Sequence, residues 1–260
     1  MRPAVSPFAD PRSILITGAS SGLGAALALA YAAPGVRLVL GGRSAERLDE
    51  VARACAARGA TVETALVDVA DRTATEAWVL ASDDAGPLDL VVANAGVSAG
   101  TGRGEEPIDQ VRRIMATNVD GTLNTVLPLL PRLAARGRGQ VALIASLAGF
   151  RGMPGAPAYC ASKAAVKVYG EALRGDMLAK GVGVSVVCPG YVDTAMTRVN
   201  TFRMPFLMTA EKAAGIIRRG LARNRARIAF PWPLVAAVWL AAALPPGLLD
   251  PLLVRLPRKV

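Results

Sequence analysis

Short, wholly apolar runs alternate along this chain with longer stretches whose apolar residues recur at helical spacing. Ile14 to Ile16 is the first such run and reads as a buried strand. A glycine-rich turn and an alanine-rich helix follow, reaching about Ala33. Val36 to Leu40 reads as a second strand, and Ser44 as the cap of a helix ending near Arg58. Thr61 to Val67 and Leu88 to Ala93 read as strands three and four, with a helix over Thr73 to Ala81 between them. A long helical stretch covers about Ile108 to Arg136. Gln140 to Ala145 and Val182 to Val187 read as strands five and six, separated by a helix that Pro157 opens. Ile228 to Phe230 fits a last strand.

Apolar strands alternating with helices predict an α/β protein, a Rossmann-like doubly wound parallel sheet with helices on both faces. In such sheets ligands bind beyond the carboxyl ends of the strands. The 260 residues suit one large domain. The expected boundaries are a proline-bearing tail over 1–11, a catalytic domain over 12–230 and an apolar C-terminal extension over 231–260.

Composition narrows the chemistry. The net charge is +10, from 30 basic and 20 acidic residues, which suits nucleic acid, an anionic membrane surface or an anionic ligand. Nucleic acid is disfavoured: aromatic residues make up 5 %, and no zinc-finger spacing or aromatic-and-basic strand is present. Cys55, Cys160 and Cys188 are far apart and odd in number, which predicts reduced thiols and a cytoplasmic protein. The chain has no histidine, so imidazole mechanisms and histidine-ligated metals are excluded, and no metal is expected. The first apolar run, Ser13 to Ile16, is too short for a signal peptide.

Three local patterns point to a reaction. Tyr159 and Lys163 lie four apart, on one face of a helix. A phenol titrates near ~10 and is a poor base at neutrality, but a fixed ammonium beside it lowers that value. Ser146, thirteen residues upstream of Tyr159, could hold a carbonyl oxygen beside the phenol. Gly18-x-x-x-Gly22-x-Gly24 follows the first strand and opens a helix, where glycines let a pyrophosphate approach the helix N-terminus. After the second strand comes Gly41-Gly42-Arg43-Ser44, without an acid for a ribose 2′-hydroxyl. Arg43 can fork onto a 2′-phosphate, so NADP is expected over NAD.

Together these residues resemble the short-chain dehydrogenase/reductase family over about residues 12 to 230. Thr17-Gly18-x-x-x-Gly22-x-Gly24, with Ser20, Ser21 and Leu23 inside it, looks like the family's cofactor turn. Asp68-Val69 resembles its adenine-contacting pair, and Asn94-Ala95-Gly96 its segment packed on the cofactor. Asn118-Val119-Asp120-Gly121 resembles the segment carrying a catalytic asparagine. Pro189-Gly190, followed by Val192 and Thr194, resembles the motif that receives the nicotinamide carboxamide. Ala93, Ala145 and the Ser20-Ser21 pair depart from common family choices.

The resemblance implies an NADP-dependent oxidoreductase that interconverts a carbonyl and an alcohol. By it, Tyr159 moves the proton, Ser146 orients the substrate oxygen, and Lys163 holds the nicotinamide ribose and lowers the Tyr159 pKa. Asn118 positions a water that links Lys163 to solvent. It also implies a homo-oligomer, a dimer or tetramer. A non-catalytic nucleotide-binding regulator and a sugar-nucleotide epimerase or dehydratase are the competing classes.

Two segments are expected over the reacting carbon: Val97 to Pro107, and Tyr191 to Thr209 with Met196, Phe202, Met204, Phe206, Leu207 and Met208. With Phe150 and Met153 they suggest an apolar pocket and a hydrophobic ketone or aldehyde, with a small polar carbonyl as the alternative. Ile228 to Leu249 carries no charge, but Pro231, Pro233, Pro245 and Pro246 confine a clean helix to Leu234 to Leu244. Eleven residues rise ~16 Å against ~30 Å of hydrocarbon, too little to span. Arg218, Arg219, Arg223, Arg225 and Arg227 precede this segment; Arg255, Arg258 and Lys259 follow it. Contact with one anionic leaflet, peripheral at a membrane's inner face, and a packed arm on a partner subunit or over the cleft both remain open.

Overall fold

Every side chain of β1 (Ser13–Thr17) is buried, because β1 is an inner strand of a sheet whose two faces are both covered by helices. The structure is a computed structural model that describes residues 8–101 and 104–254. Most of the expected tail, two residues of the expected 97–107 segment, and Arg255, Arg258 and Lys259 lie outside the described residues.

In chain order β1 leads to α1 (Gly22–Tyr31), β2 (Arg37–Gly42), α2 (Ala45–Ala56), β3 (Thr61–Leu66), α3 (Arg72–Ala85) and β4 (Leu90–Ala93). Next come α4 (Ile108–Met115), α5 (Gly121–Val126), α6 (Leu130–Arg136), β5 (Gln140–Ile144), α7 (Pro157–Leu178) and β6 (Gly183–Pro189). The remainder holds β7 (Val192–Asp193), α8 (Ala195–Arg198), β8 (Met208–Thr209), α9 (Ala210–Ala222), β9 (Arg227–Phe230), α10 (Trp232–Ala243) and α11 (Pro246–Leu253). The main sheet is parallel in the order β3-β2-β1-β4-β5-β6-β9, and β7 pairs with β8 separately.

Strand alternation divides the core. Ile14 and Ile16 point into one apolar cluster and Leu15 into the other. Strand order reverses between β1 and β4, paired at Ile14 with Leu90 and Ile16 with Val92. The chain fans out from that pair in both directions, which opens a crevice at their carboxyl ends.

The expected strands all form, but the 108–136 stretch is not one helix. A five-residue π turn, Ala116–Asp120, separates α4 from α5, and α6 begins after Leu127–Leu129. Pro128 lacks the N–H that a continuous helix needs. Ser44 occupies the position before α2 but makes no side-chain capping bond, whereas Asp71 caps α3 by accepting from the Ala74 N–H at 3.0 Å. The C-terminal helix starts at Trp232, two residues earlier than its prolines suggested, because Pro233 is tolerated in a first turn.

Candidate active site

The carboxyl ends of β1, β4, β5 and β6 meet over one cavity, and the helices α1 and α7 begin at its wall. Gly18, with φ +65°, turns the chain out of β1 into a conformation that L side chains rarely adopt. A side chain at Gly24 would stand 2.3 Å from the Gly18 carbonyl oxygen, so only glycine lets α1 start this close to the turn. Asn94 braces the turn from β4: its Nδ2 donates to the Thr17 and Gly18 carbonyls at 2.8 and 3.3 Å. The Asn94 and Ala95 N–H groups donate to Thr17 Oγ1 at 3.0 and 3.1 Å. Thr194, from the far wall, comes within 3.0 Å of where a side chain on Gly22 would begin.

All of Gly18, Ser20, Ser21, Gly22, Leu23, Gly24, Arg43, Asp68, Val69, Asn94, Ala95, Gly96, Pro189, Gly190, Val192 and Thr194 line this cavity, together with Ser146, Tyr159 and Lys163. A glycine cradle at a helix N-terminus that a single Cβ would fill fits a dinucleotide pyrophosphate. Arg43 reaches Asp68 across one end, with Nη1 3.6 Å from Oδ2 and both side chains about half exposed.

At the other end three polar groups converge. Ser146 follows β5 and hydrogen-bonds the Tyr159 hydroxyl, while its Oγ accepts from the Ala148 N–H at 3.1 Å. Lys163, 5 % exposed, donates from Nζ to the Ile144 carbonyl at 2.8 Å and lies 6.0 Å from the centre of the Tyr159 ring. Desolvation pushes the Lys163 ammonium down to about 8.

The phenol departs from the expectation. Burial raises the Tyr159 pKa, and the opposing influence is the Ser146 hydrogen bond rather than Lys163. The geometric reason is that the Lys163 ammonium is turned onto the Ile144 carbonyl.

Asn118 sits behind the cavity wall on the π turn and is fully buried. Its Oδ1 accepts from the Val97 N–H at 2.8 Å, and Nδ2 donates to the Val97 carbonyl and to Ser162 Oγ, both at 3.0 Å. Both amide hydrogens are spent on protein atoms, so the side chain has no donor left for a water. A π turn aims this amide at both Val97 and α7, as such turns often do beside ligand sites.

These features meet in a family that the sequence and the fold identify together. The family model described as short chain dehydrogenase matches residues 12–203. The chain belongs to that family. An uncharacterised oxidoreductase of Myxococcus xanthus is 43 % identical over 240 residues, covering 92 % of this chain and 95 % of that protein. A short chain dehydrogenase/reductase from Burkholderia phymatum, solved in complex with NAD, superposes with a TM-score of 0.80 at 27 % identity, covering 89 % of this chain and 92 % of that one. A short-chain dehydrogenase from Sphingobium yanoikuyae, in complex with NADPH, gives a TM-score of 0.79 at 27 % identity and covers 94 % and 96 %. This short chain dehydrogenase is therefore an NAD(P)-dependent oxidoreductase.

Sequence reasoning missed two wall residues of this dehydrogenase, Arg47 and Thr117, whereas Val97, Ala195 and Thr197 reach the cavity from the two segments expected over the reacting carbon. Arg47 had a readable signal, since it follows Arg43 by four residues at the start of α2. Of the expected apolar pocket only Met196 lines the cavity. Phe202 instead stacks edge-on against Tyr191 at 6.1 Å, and Met208 is buried in the core. Phe150 meets both the Lys167 ammonium and the Arg227 guanidinium, 5.2 and 5.3 Å from its ring centre. Two cations sharing Glu171 hold that ring, and it packs against the core.

Proposed function

We propose that the chain is an NADP-dependent oxidoreductase that interconverts a carbonyl and an alcohol on a hydrophobic substrate. The observation that carries this reading is the Ser146–Tyr159 hydrogen bond beside Lys163, in the same cavity as the glycine turn. Bound there, the nicotinamide supplies or takes the hydride. Tyr159 then gives or takes the proton at the substrate oxygen, and Ser146 Oγ fixes that oxygen against the phenol. Lys163 contributes positive charge and a donor at the floor of the cavity. Asn118 acts as a positioning residue, holding Val97 and α7 in one geometry. Gly190, Val192 and Thr194 form the wall opposite the glycine turn, where a carboxamide would be received.

Arg43 and Arg47 support NADP, because two guanidinium groups at the Asp68 end of the cavity can bracket a 2′-phosphate. Support for a hydrophobic substrate comes from Met196 in the wall and from exposed Val199, Phe206 and Leu207 between β7 and β8. A small polar carbonyl is the second reading, favoured because Met196 is the one residue of the expected apolar pocket in the wall. A family dimer or tetramer remains part of the proposal.

The test is oxidation of NADPH and NADH across ketones and aldehydes from small polar to long-chain, with Tyr159→Phe as control. Turnover that rises with chain length, prefers NADPH and vanishes in the variant supports the reading. Turnover confined to small polar carbonyls selects the second one. Equal turnover by the variant removes Tyr159 from the chemistry.

A further inference from the structure

The fold leaves one face of α10 uncovered. Leu234 and Val235 pack inward against the core, but none of the helix's residues is fully buried. Trp232 and Trp239 stand seven residues apart, two turns along, so they share the outward face. They are 78 % and 62 % exposed. Leu240 on the same helix and Leu248 on α11 are exposed as well. Two of the chain's three tryptophans thus face outward on a helix that carries no charge. Exposed apolar area of this kind marks a contact surface.

Charge says what the surface meets. From Lys212 onward the sequence has nine basic residues and a single acid, Asp250, so its last 49 residues hold eight of the ten net positive charges. Lys212, Arg218, Arg219, Arg223 and Arg225 are exposed. Arg255, Arg258 and Lys259 follow directly after α11 in the sequence. An uncharged helix bearing outward tryptophans within a cationic segment matches the boundary between headgroups and acyl chains of an anionic leaflet. A second copy matches poorly, since a two-fold contact sets like patch on like patch and opposes two strongly cationic segments. Twelve residues rise ~18 Å, so the helix lies in the boundary and does not cross it. No helix among the described residues is long and apolar enough to span a membrane.

We propose that α10 and α11 dock this oxidoreductase on an anionic lipid leaflet, with Trp232, Trp239, Leu240 and Leu248 at the headgroup boundary. Both ends of α10 are tied to the segments that follow β5 and β6, which carry Ser146 and Gly190 into the cavity wall. Arg151, five residues after Ser146, donates from Nη1 to the Ala241 and Leu244 carbonyls at 2.9 and 2.8 Å. At the other end Leu234 comes within 2.9 Å of where a side chain on Gly190 would begin. Docking therefore holds that side of the cavity at the lipid, and the carbonyl substrate is one dissolved in the leaflet. This last step rests on the carbonyl–alcohol reading; the docking itself does not.

The experiment floats the full chain with vesicles of phosphatidylcholine containing phosphatidylglycerol, and with phosphatidylcholine alone. The protein rises with the anionic vesicles at least about tenfold more than with the neutral ones, and brominated acyl chains quench its tryptophan fluorescence. The double variant Trp232→Ser/Trp239→Ser loses about tenfold of the bound fraction while keeping its melting temperature and its turnover of a soluble carbonyl. Absence of flotation overturns the docking, as does binding that neither quenches nor changes in the double variant. A vesicle-free dimer that the double variant abolishes overturns it too and assigns the face to a second copy. Turnover is read in the same samples: binding without turnover of any carbonyl sinks the reaction but keeps the docking, and turnover without binding does the reverse. A long-chain ketone reduced no faster in anionic vesicles than in detergent overturns the leaflet substrate alone.

Discussion

Lys163 donates its ammonium to the main-chain carbonyl of Ile144 at 2.8 Å from a site that is 5 % exposed. The bond keeps the charge at the floor of the cavity, and the loss of water makes that charge easier to remove. Desolvation lowers the pKa to about 8, so the ammonium is held below that pH and lost above it. Carbonyl reduction by the wild type is expected to be level below about pH 8 and to decline above it. Lys163→Arg moves the decline to higher pH, because a guanidinium stays charged. The same shift has a stability sign. An unfolded lysine holds its proton to ~10.4, so between the two values the unfolded chain binds more protons and stability rises with pH. Rate–pH profiles and urea melts across that window check both; a rate indifferent to pH would separate Lys163 from the reaction.

Tyr159→Phe removes one hydroxyl and its bond to Ser146, and leaves the ring in place. Turnover is expected to fall by roughly 10²–10⁴-fold, the range for losing a general acid or base. NADPH affinity, measured by fluorescence titration, is expected to stay within about twofold. A loss of affinity that matches the loss of rate would mean that the phenol binds cofactor rather than moving a proton.

Arg43→Ala is expected to weaken NADPH by roughly 10–100-fold while changing NADH little, since a hydrogen bond to a charged group contributes ~1.5–3 kcal/mol. The variant also releases Asp68 from its 3.6 Å ion pair, which is exposed and contributes little to stability. Calorimetric titration with both cofactors checks the difference. Equal weakening of both would assign Arg43 to the adenosine half in general and leave the phosphate to Arg47.

Gly24→Ala places a carbon 2.3 Å from the Gly18 carbonyl oxygen and 2.6 Å from Asn94 Nδ2. Backbone cannot yield that much without moving α1 off the turn. Overpacking of this kind costs ~1–3 kcal/mol, so a lower melting temperature and a loss of cofactor binding are expected together. Gly175→Ala, where nothing lies within 4 Å of the added carbon, is the control and is expected to leave cofactor binding unchanged and to raise the melting temperature, since alanine is favoured over glycine inside a helix by ~1 kcal/mol. Normal binding by the Gly24 variant would show that the turn tolerates more than this packing allows.

The parallel sheet was legible because each strand is an apolar run with a helix after it. Ile14–Ile16 and Val182–Val187 sit where that pattern puts them, with both faces buried. The cavity lining was legible for a related reason: turns that need glycine or a fixed polar group leave marks in the sequence, as at Gly18 and Asn94. Distances between elements leave no such marks. The contact between Glu171 and Arg227 joins residues far apart in the chain, so Phe150, with Lys167 and Arg227 against its ring, read as a pocket residue and proved to be a buttress. The π turn was invisible for the opposite reason, since its residues have ordinary helix-compatible side chains and only tertiary bonds to Val97 and Ser162 favour the wider turn.

That turn acts as a phase shifter in an otherwise regular rod. A helix advances by about 100° per residue, so one residue more or fewer turns everything beyond it to a new heading. Upstream, Ile114 is set into the core; downstream, Gly121 is pressed so closely on Val69 that an added carbon would stand 2.5 Å away. Both orientations coexist with an inward-aimed Asn118 only while the extra residue stays in the winding. Grafts of this site onto another scaffold must therefore carry the whole segment Ile114–Gly121, because the asparagine alone, set in an evenly wound helix, would arrive pointing elsewhere.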